Sequence, residues 1–191
     1  MLAPIDIVTR YNRPTGRKSD PEEATNNGYW HRGAHAFLIT PKGRILVQKR
    51  GLDTVQRPGL IDIGVGGFVD SGELPEQAAI REIKEETGLN VTTGELIFLG
   101  TTRYNRRWRS KDRQKISRAI IYNYAVRLPH EHNHVTPQPG EVAWVGFIPP
   151  RSAFWLIRHK AIRRIGRLSP MYAYYRIMVG RAYHILDERF Y

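Results

Sequence analysis

Three glutamates, Glu82, Glu85 and Glu86, stand three and four residues apart in the run Arg81-Glu82-Ile83-Lys84-Glu85-Glu86-Thr87-Gly88-Leu89. At about 100° per residue a helix gathers them on one arc and puts Ala79, Ile80, Ile83 and Thr87 on a neighbouring apolar arc. Pro75 suits the first turn of that helix, and Gly88 suits the position just past its end. Like charges at i,i+4 cost a helix a few tenths of a kcal/mol, and Lys84 points elsewhere. A hard divalent cation reverses the sign, because Mg²⁺ takes oxygen ligands and is commonly held by carboxylates together with substrate phosphates. Taken alone, three helical glutamates are more often a solvated acidic face. Their setting decides between the two.

Upstream, Gly64, Gly66 and Gly67 let the backbone approach closely, so that carbonyl oxygens can face a metal or N–H groups a phosphate. The full pattern is Gly67, five residues, Glu73, seven residues, Arg81-Glu82, the aliphatic Ile83, one residue, Glu85-Glu86, one residue, Gly88 and Leu89. This resembles, at every fixed place, the signature of the Nudix hydrolase family. The resemblance implies an α/β fold, the Nudix α/β/α sandwich with a mixed β-sheet. It also implies that Glu82, Glu85 and Glu86 hold Mg²⁺ or Mn²⁺, with the Gly67 carbonyl as an additional ligand. Arg81 and Glu73 are then expected to brace loop and helix through a salt bridge. One of the carboxylates, or a glutamate outside the run, activates water for attack on phosphorus. Glu141, ahead of the Trp-containing segment 142–148, is a candidate for metal binding or for that base, against the alternative of an edge-strand carboxylate.

The segment 30–50, with Asp6-Ile7-Val8, Gly16 and His31-Arg32, further resembles the isopentenyl-diphosphate-isomerase-like branch of the superfamily over roughly residues 5–148. True isomerases of that type rely on a cysteine, and this chain has none. Proton transfer at carbon needs a positioned acid or base. The expectation is therefore the hydrolase side of that branch.

The elements that must position the glutamates come from pattern. Residues 1–30 read as an N-terminal arm, 31–150 as the Nudix domain and 151–191 as a basic C-terminal helical extension packed on it. Segments 33–40 and 44–49 alternate around Pro41-Lys42-Gly43 as a hairpin, and 60–65 is a short buried strand leading into the glycines. Strands are expected over 95–102, 119–128 and from Glu141 onward. A helix capped by Ser152 is expected to run to about Gly166, with a second over 171–186. His130, His132 and His134 alternate in a proline-flanked stretch that reads as a surface loop.

Arg50 and Arg57 precede the signature and are candidates to clamp a diphosphate, Arg50 because it closes a strand. Each alone is more often an ordinary surface charge or an internal ion pair. Residues 103–118 carry Arg103, Arg106, Arg107, Arg109, Lys111, Arg113, Lys115 and Arg118 against Asp112, with Tyr104 and Trp108 interleaved. Such a patch suits a nucleotide base with its phosphates, or single-stranded nucleic acid, with Trp108 and Arg106 as contacts. A solvated hairpin loop is the plain alternative.

The net charge of +12 favours polyanionic partners. Zero cysteines exclude disulfides, thiolate nucleophiles and Cys-ligated zinc, and fit a cytoplasmic protein. No apolar run reaches the 18 or more residues that a membrane span needs. The reading that follows is metal-dependent hydrolysis of a diphosphate linkage in a nucleoside diphosphate-X compound. Alternatives are an RNA 5′-end pyrophosphohydrolase and a non-catalytic nucleotide- or RNA-binding Nudix module. A homodimer contact through the aromatic final helix is left open.

Overall fold

The computed structural model describes residues 3–52, 58–110, 113–131, 135–136, 140, 142–162 and 166–186. The chain opens with strands β1 (Ile5–Val8) and β2 (Pro14–Ser19), the short helix α1 (Pro21–Asn27) and the ten-residue strand β3 (Trp30–Ile39). Strands β4 (Ile45–Arg50), β5 (Ile61–Ile63) and β6 (Val65–Phe68) lead to helix α2 (Pro75–Thr87). A long hairpin, β7 (Leu96–Ser110) and β8 (Arg113–Arg127), precedes β9 (Val142–Ile148), α3 (Pro150–His159), the short pair β10 (Ala161–Ile162) and β11 (Gly166–Arg167), and α4 (Tyr172–Leu186).

β3 is the hub. It pairs antiparallel with β1, β4 and β6 and parallel with β8. The sheet is therefore mixed, and β4 extends it to β5 and β9. Side chains alternate along β3 because successive residues face opposite sides of a pleated strand. Ala34, Ala36 and Leu38 join Ala78, Ala79 and Ile83 of α2 in one core cluster. Phe37 and Ile39 join Leu156 and Ile157 of α3 and Tyr175, Met178 and Val179 of α4 in the other. Both faces of the sheet are thus covered by helices, giving the α/β/α sandwich.

Three segments differ from expectation. Residues 5–27, read as an arm, contribute strands and a helix: Ile5, Ile7 and Ala24 are buried together against Tyr29 and Phe68. The apolar residues at 5 and 7 share one strand face, and Asp20 caps α1 by accepting from the Glu22 and Glu23 backbone N–H groups at 2.8 and 3.3 Å. The basic stretch 103–118 is mostly paired strand rather than loop, with Arg103 opposite Ile120 and Asn105 opposite Arg118. Its period-two alternation buries Ser117 and Ala119 while Arg118 between them takes the other face. The helix expected to run to Gly166 stops at His159. Pro149-Pro150 starts it ahead of Ser152, with Pro149 rather than Ser152 at the N-cap, and Lys160 ends it in the left-handed conformation at φ 62°. Among the described residues no helix is long and apolar enough to cross a membrane.

Candidate active site

The signature folds as loop, helix and cap. Leu74 N–H donates to Gln77 Oε1 at 2.9 Å at the start of α2, and Gly88, at φ 73°, closes its end with an N–H to the Lys84 carbonyl at 2.8 Å. Ala78, Ala79, Ile83 and Thr87 form the buried face. Glu86 goes with them. It is 4% exposed, whereas the Glu85 side chain is 45% exposed and that of Glu82 13%. The three carboxylates therefore run from core to solvent along one helix.

Glu86 Oε2 accepts hydrogen bonds from Gln48 Nε2 at 2.9 Å and from the Gly66 N–H at 3.2 Å. Gln48 Nε2 also donates to the Gly64 carbonyl at 3.3 Å. Its Oε1 is buried with no hydrogen-bond partner. Burial, then the nearby charge of Glu82, push the Glu86 carboxyl up to about 8, and its donors and Arg50 offset this only in part. Gly67 supplies room: a Cβ there would overlap the Glu82 carboxylate, while its carbonyl lies against Gly33 of β3. A single-carbon addition would displace a signature side chain.

Arg81 ties the loop to the helix. Its Nε and Nη2 donate to the two Glu73 oxygens at 3.0 and 3.1 Å, and Nη2 also reaches the Phe68 carbonyl at 2.9 Å. Nη1 bridges Glu82 Oε1 at 2.7 Å and Glu85 Oε2 at 3.2 Å. Burial opposes the guanidinium charge, but the hydrogen bonds and charges of Glu73 and Glu82 outweigh it and raise its pKa. Asp70, whose N–H donates to Glu73 Oε2 at 3.0 Å, joins this network. Burial raises its carboxyl pKa, with Arg81 opposing.

The residues outside the signature scatter. Arg50 lies near enough to Glu86 to lower its pKa, and its Nη1 is 3.4 Å from Asp62 Oδ2. Asp62 is itself buried and accepts from Tyr175 Oη of α4 at 2.7 Å. Arg106 is drawn away, donating to the Pro170 carbonyl at 3.3 Å. The Trp108 backbone pairs with Lys115 far out on the hairpin, and its side chain lies outside those described. Arg57, Glu141, His132 and His134 also lie outside the described residues. Sequence reasoning missed Gln48, Asp62 and Tyr175. The lone Gln in the apolar run Ile45-Leu46-Val47-Gln48 was the available signal, since a buried amide needs a partner.

These groups suit a hard cation in type: carboxylate oxygens, one of them buried beside a like charge, and an unpartnered buried amide oxygen. Among the described residues no three His, Cys, Asp or Glu side chains converge on a ready-made cage. Arg81 Nη1 holds Glu82 and Glu85 instead.

A family model, NUDIX domain, matches residues 29–167. The chain belongs to the Nudix family. A Nudix hydrolase of Streptomyces coelicolor is 34% identical over 150 residues, covering 76% of this chain and 74% of the relative. One of Clostridium acetobutylicum is 34% identical over 99 residues, and there the match spans only 47% of the relative's length and 50% of this chain. The isopentenyl-diphosphate Delta-isomerase of Streptomyces coelicolor is 30% identical over 132 residues, 64% of this chain and 59% of that one, so the isomerase-like resemblance extends to named relatives. Among solved structures, a Deinococcus radiodurans protein aligns over 92% of this chain and 98% of its own, with TM-score 0.59 and 18% identity. The NUDIX domain of Shewanella oneidensis NrtR, solved with ADP-ribose, aligns over 88% and 94%, with TM-score 0.58 and 18% identity. At those identities the Nudix fold is what is shared.

Proposed function

We propose that this Nudix protein hydrolyses the diphosphate linkage of a nucleoside diphosphate-X compound, using a divalent cation, Mg²⁺ or Mn²⁺. The observation that carries the reading is Glu86: a buried carboxyl beside the carboxylate of Glu82, hydrogen-bonded to the glycine loop that precedes its helix. An apolar or amide side chain would be cheaper there unless a cation used the charge. Glu82, Glu85 and Glu86 would hold the cation, which supplies charge neutralisation at the diphosphate oxygens and acidifies the attacking water. Arg81 keeps its Nε and Nη2 on Glu73 and Phe68 while Nη1 gives up Glu82 and Glu85, so the helix stays anchored to the loop. Arg50, near Glu86 and tied to Asp62, would meet a diphosphate oxygen. The proton released as water attacks phosphorus would pass to a carboxylate that the cation leaves free, or to solvent. The P–O bond breaks, and X-phosphate and a phosphate-bearing nucleoside leave without a covalent intermediate. The absence of cysteine supports hydrolysis over the isomerisation named for some relatives. ADP-ribose, bound to the Shewanella domain, has the proposed linkage.

The test is product release from a panel of nucleoside diphosphate sugars, dinucleotides, nucleoside triphosphates and triphosphate-ended RNA. Each is run with Mg²⁺ or Mn²⁺, with EDTA, and with Glu85→Gln. Turnover of one class that disappears with EDTA and in the variant is expected. Folded protein that turns over none of them, yet binds nucleotide, refutes the reading in favour of a binding module.

A further inference from the structure

A cavity of about 410 Å³ opens away from the carboxylates, lined by Arg10, Trp30, Arg103, Asn105 and Arg118. Arg10 leaves the end of β1, Trp30 begins β3, and the other three come from the inner part of the β7–β8 hairpin. Register brings them together, because Trp30 pairs with Arg118 and Asn105 pairs with Arg118 from the other side. Among the described residues none of the three arginines is paired with a carboxylate. Arg10 and Arg103 stack over Tyr11 at 4.8 and 6.0 Å, and Arg118 donates to the Gly28 carbonyl at 3.2 Å. Three guanidinium groups around one cavity repel one another, and no carboxylate among the described residues pairs with them.

We infer that this cavity is a second ligand site, taking a phosphorylated nucleotide unit: phosphate on the arginines, the planar ring on Trp30. Guanidinium forks match phosphate oxygens in pairs, which a lysine cannot do. Trp30 is half-buried, so its ring is fixed while part of it stays accessible. Stacking of a base on such a ring tolerates any base. Asn105 offers a donor and an acceptor to the base edge. The volume falls within the range of small-ligand pockets, about 300–1,000 Å³. The site is distinct from the carboxylates. Ala34 pairs with Gly67 of the signature, and Trp30 stands four residues earlier in β3, about 13 Å away at 3.3 Å per residue. Trp30 and Ala34 share a sheet face, so a long ligand could occupy both places. The ligand unit is either a free nucleotide or one nucleotide of a polynucleotide chain. The inference needs no catalysis and stands apart from the hydrolase reading.

The test is calorimetric titration of the full chain in EDTA with ADP, inorganic pyrophosphate and a short 5′-phosphorylated single-stranded RNA. ADP or RNA is expected to bind more tightly than pyrophosphate. Arg10→Ala with Arg103→Ala, both exposed positions, should weaken binding at least about 10-fold and lower the salt slope by about one to two. Trp30→Leu should remove the advantage of ADP over pyrophosphate, and Arg158→Ala, exposed on α3 and outside both sites, should change nothing. Tighter binding of ADP than of RNA points to a free nucleotide, and the reverse points to a nucleic-acid end; either upholds the site. No binding by wild type, unchanged binding by the double arginine variant, or pyrophosphate binding as tightly as ADP overturns it.

Discussion

Replacing Glu86 with glutamine should stabilise the metal-free protein, and increasingly so as pH rises. The carboxyl moves from 4.5 to about 8 on folding, chiefly through burial and the Glu82 charge. Its folded pKa lies above its unfolded one, so between pH 4.5 and 8 the native state holds a proton that the unfolded chain has released. Stability therefore falls as pH rises through that window. At about 1.4 kcal/mol per pH unit the burden at pH 7 is about 3 kcal/mol, and at pH 5 it is under about 1 kcal/mol. Glutamine carries no such burden. Its amide oxygen can take the place of Oε2 and keep the bonds from Gln48 and Gly66, so the neutral form is mimicked. For a chain of this size the gain at pH 7 corresponds to roughly 6–12 °C in Tm. The assay is thermal unfolding by circular dichroism in EDTA at several pH values between 5 and 8, wild type against Glu86→Gln. A gap that widens with pH supports the argument, because every other titrating group is common to both proteins. A gap that stays constant across that range refutes it. Adding Mn²⁺ should then raise the Tm of wild type and leave the variant unmoved, by ligand linkage.

Gly67→Ala should abolish most activity without unfolding the chain, since the new methyl overlaps the Glu82 carboxylate; a matching far-UV spectrum with kcat unchanged would contradict this. Arg81→Lys keeps the charge but cannot reach Glu73, Phe68 and Glu82 together, and kcat should fall about 10–100-fold, as for other residues that orient ligating groups. Equal kcat in steady-state assays would show the brace to be dispensable. Tyr175→Phe removes the hydroxyl that serves buried Asp62 and should cost about 1.5–3 kcal/mol, read as a lower urea midpoint at constant m-value. An unchanged midpoint would mean that the hydroxyl is not needed to satisfy Asp62.

The signature helix was legible because its information is local: Pro75 and Gly88 set its ends and the apolar arc sets its inner face. The same periodicity misassigned Glu86, which a helical wheel groups with Glu82 and Glu85 on a polar side. What buries it is the sheet, where Gln48 of β4 and Gly66 of β6 meet it, and strand register is not written within α2. Residues 103–118 failed for a related reason. A run of arginines between turn signals reads as a solvated loop until the partner strand is known, and here each half of the run is the other's partner, with Ser117 and Ala119 turned inward. Residues 5–8 were legible as a short strand but not as part of the core, since four residues gain a core only by adding to a sheet already formed by β3.

Taken together, these misses share a consequence for function. The carboxylates alone mark a reaction class, and any Nudix chain with the signature carries them. The arginine-lined cavity, by contrast, is built at long range: Arg10 and Trp30 reach Arg103 and Arg118 only because β1, β3, β7 and β8 lie side by side. If substrate choice resides in those strands, exchanging α2 and its loop with a relative of different specificity should leave the preferred nucleotide unchanged, whereas exchanging the β7–β8 hairpin should alter it. A preference that travels with α2 would place selectivity in the signature itself and leave the arginine-lined cavity as a ligand site that takes no part in substrate choice.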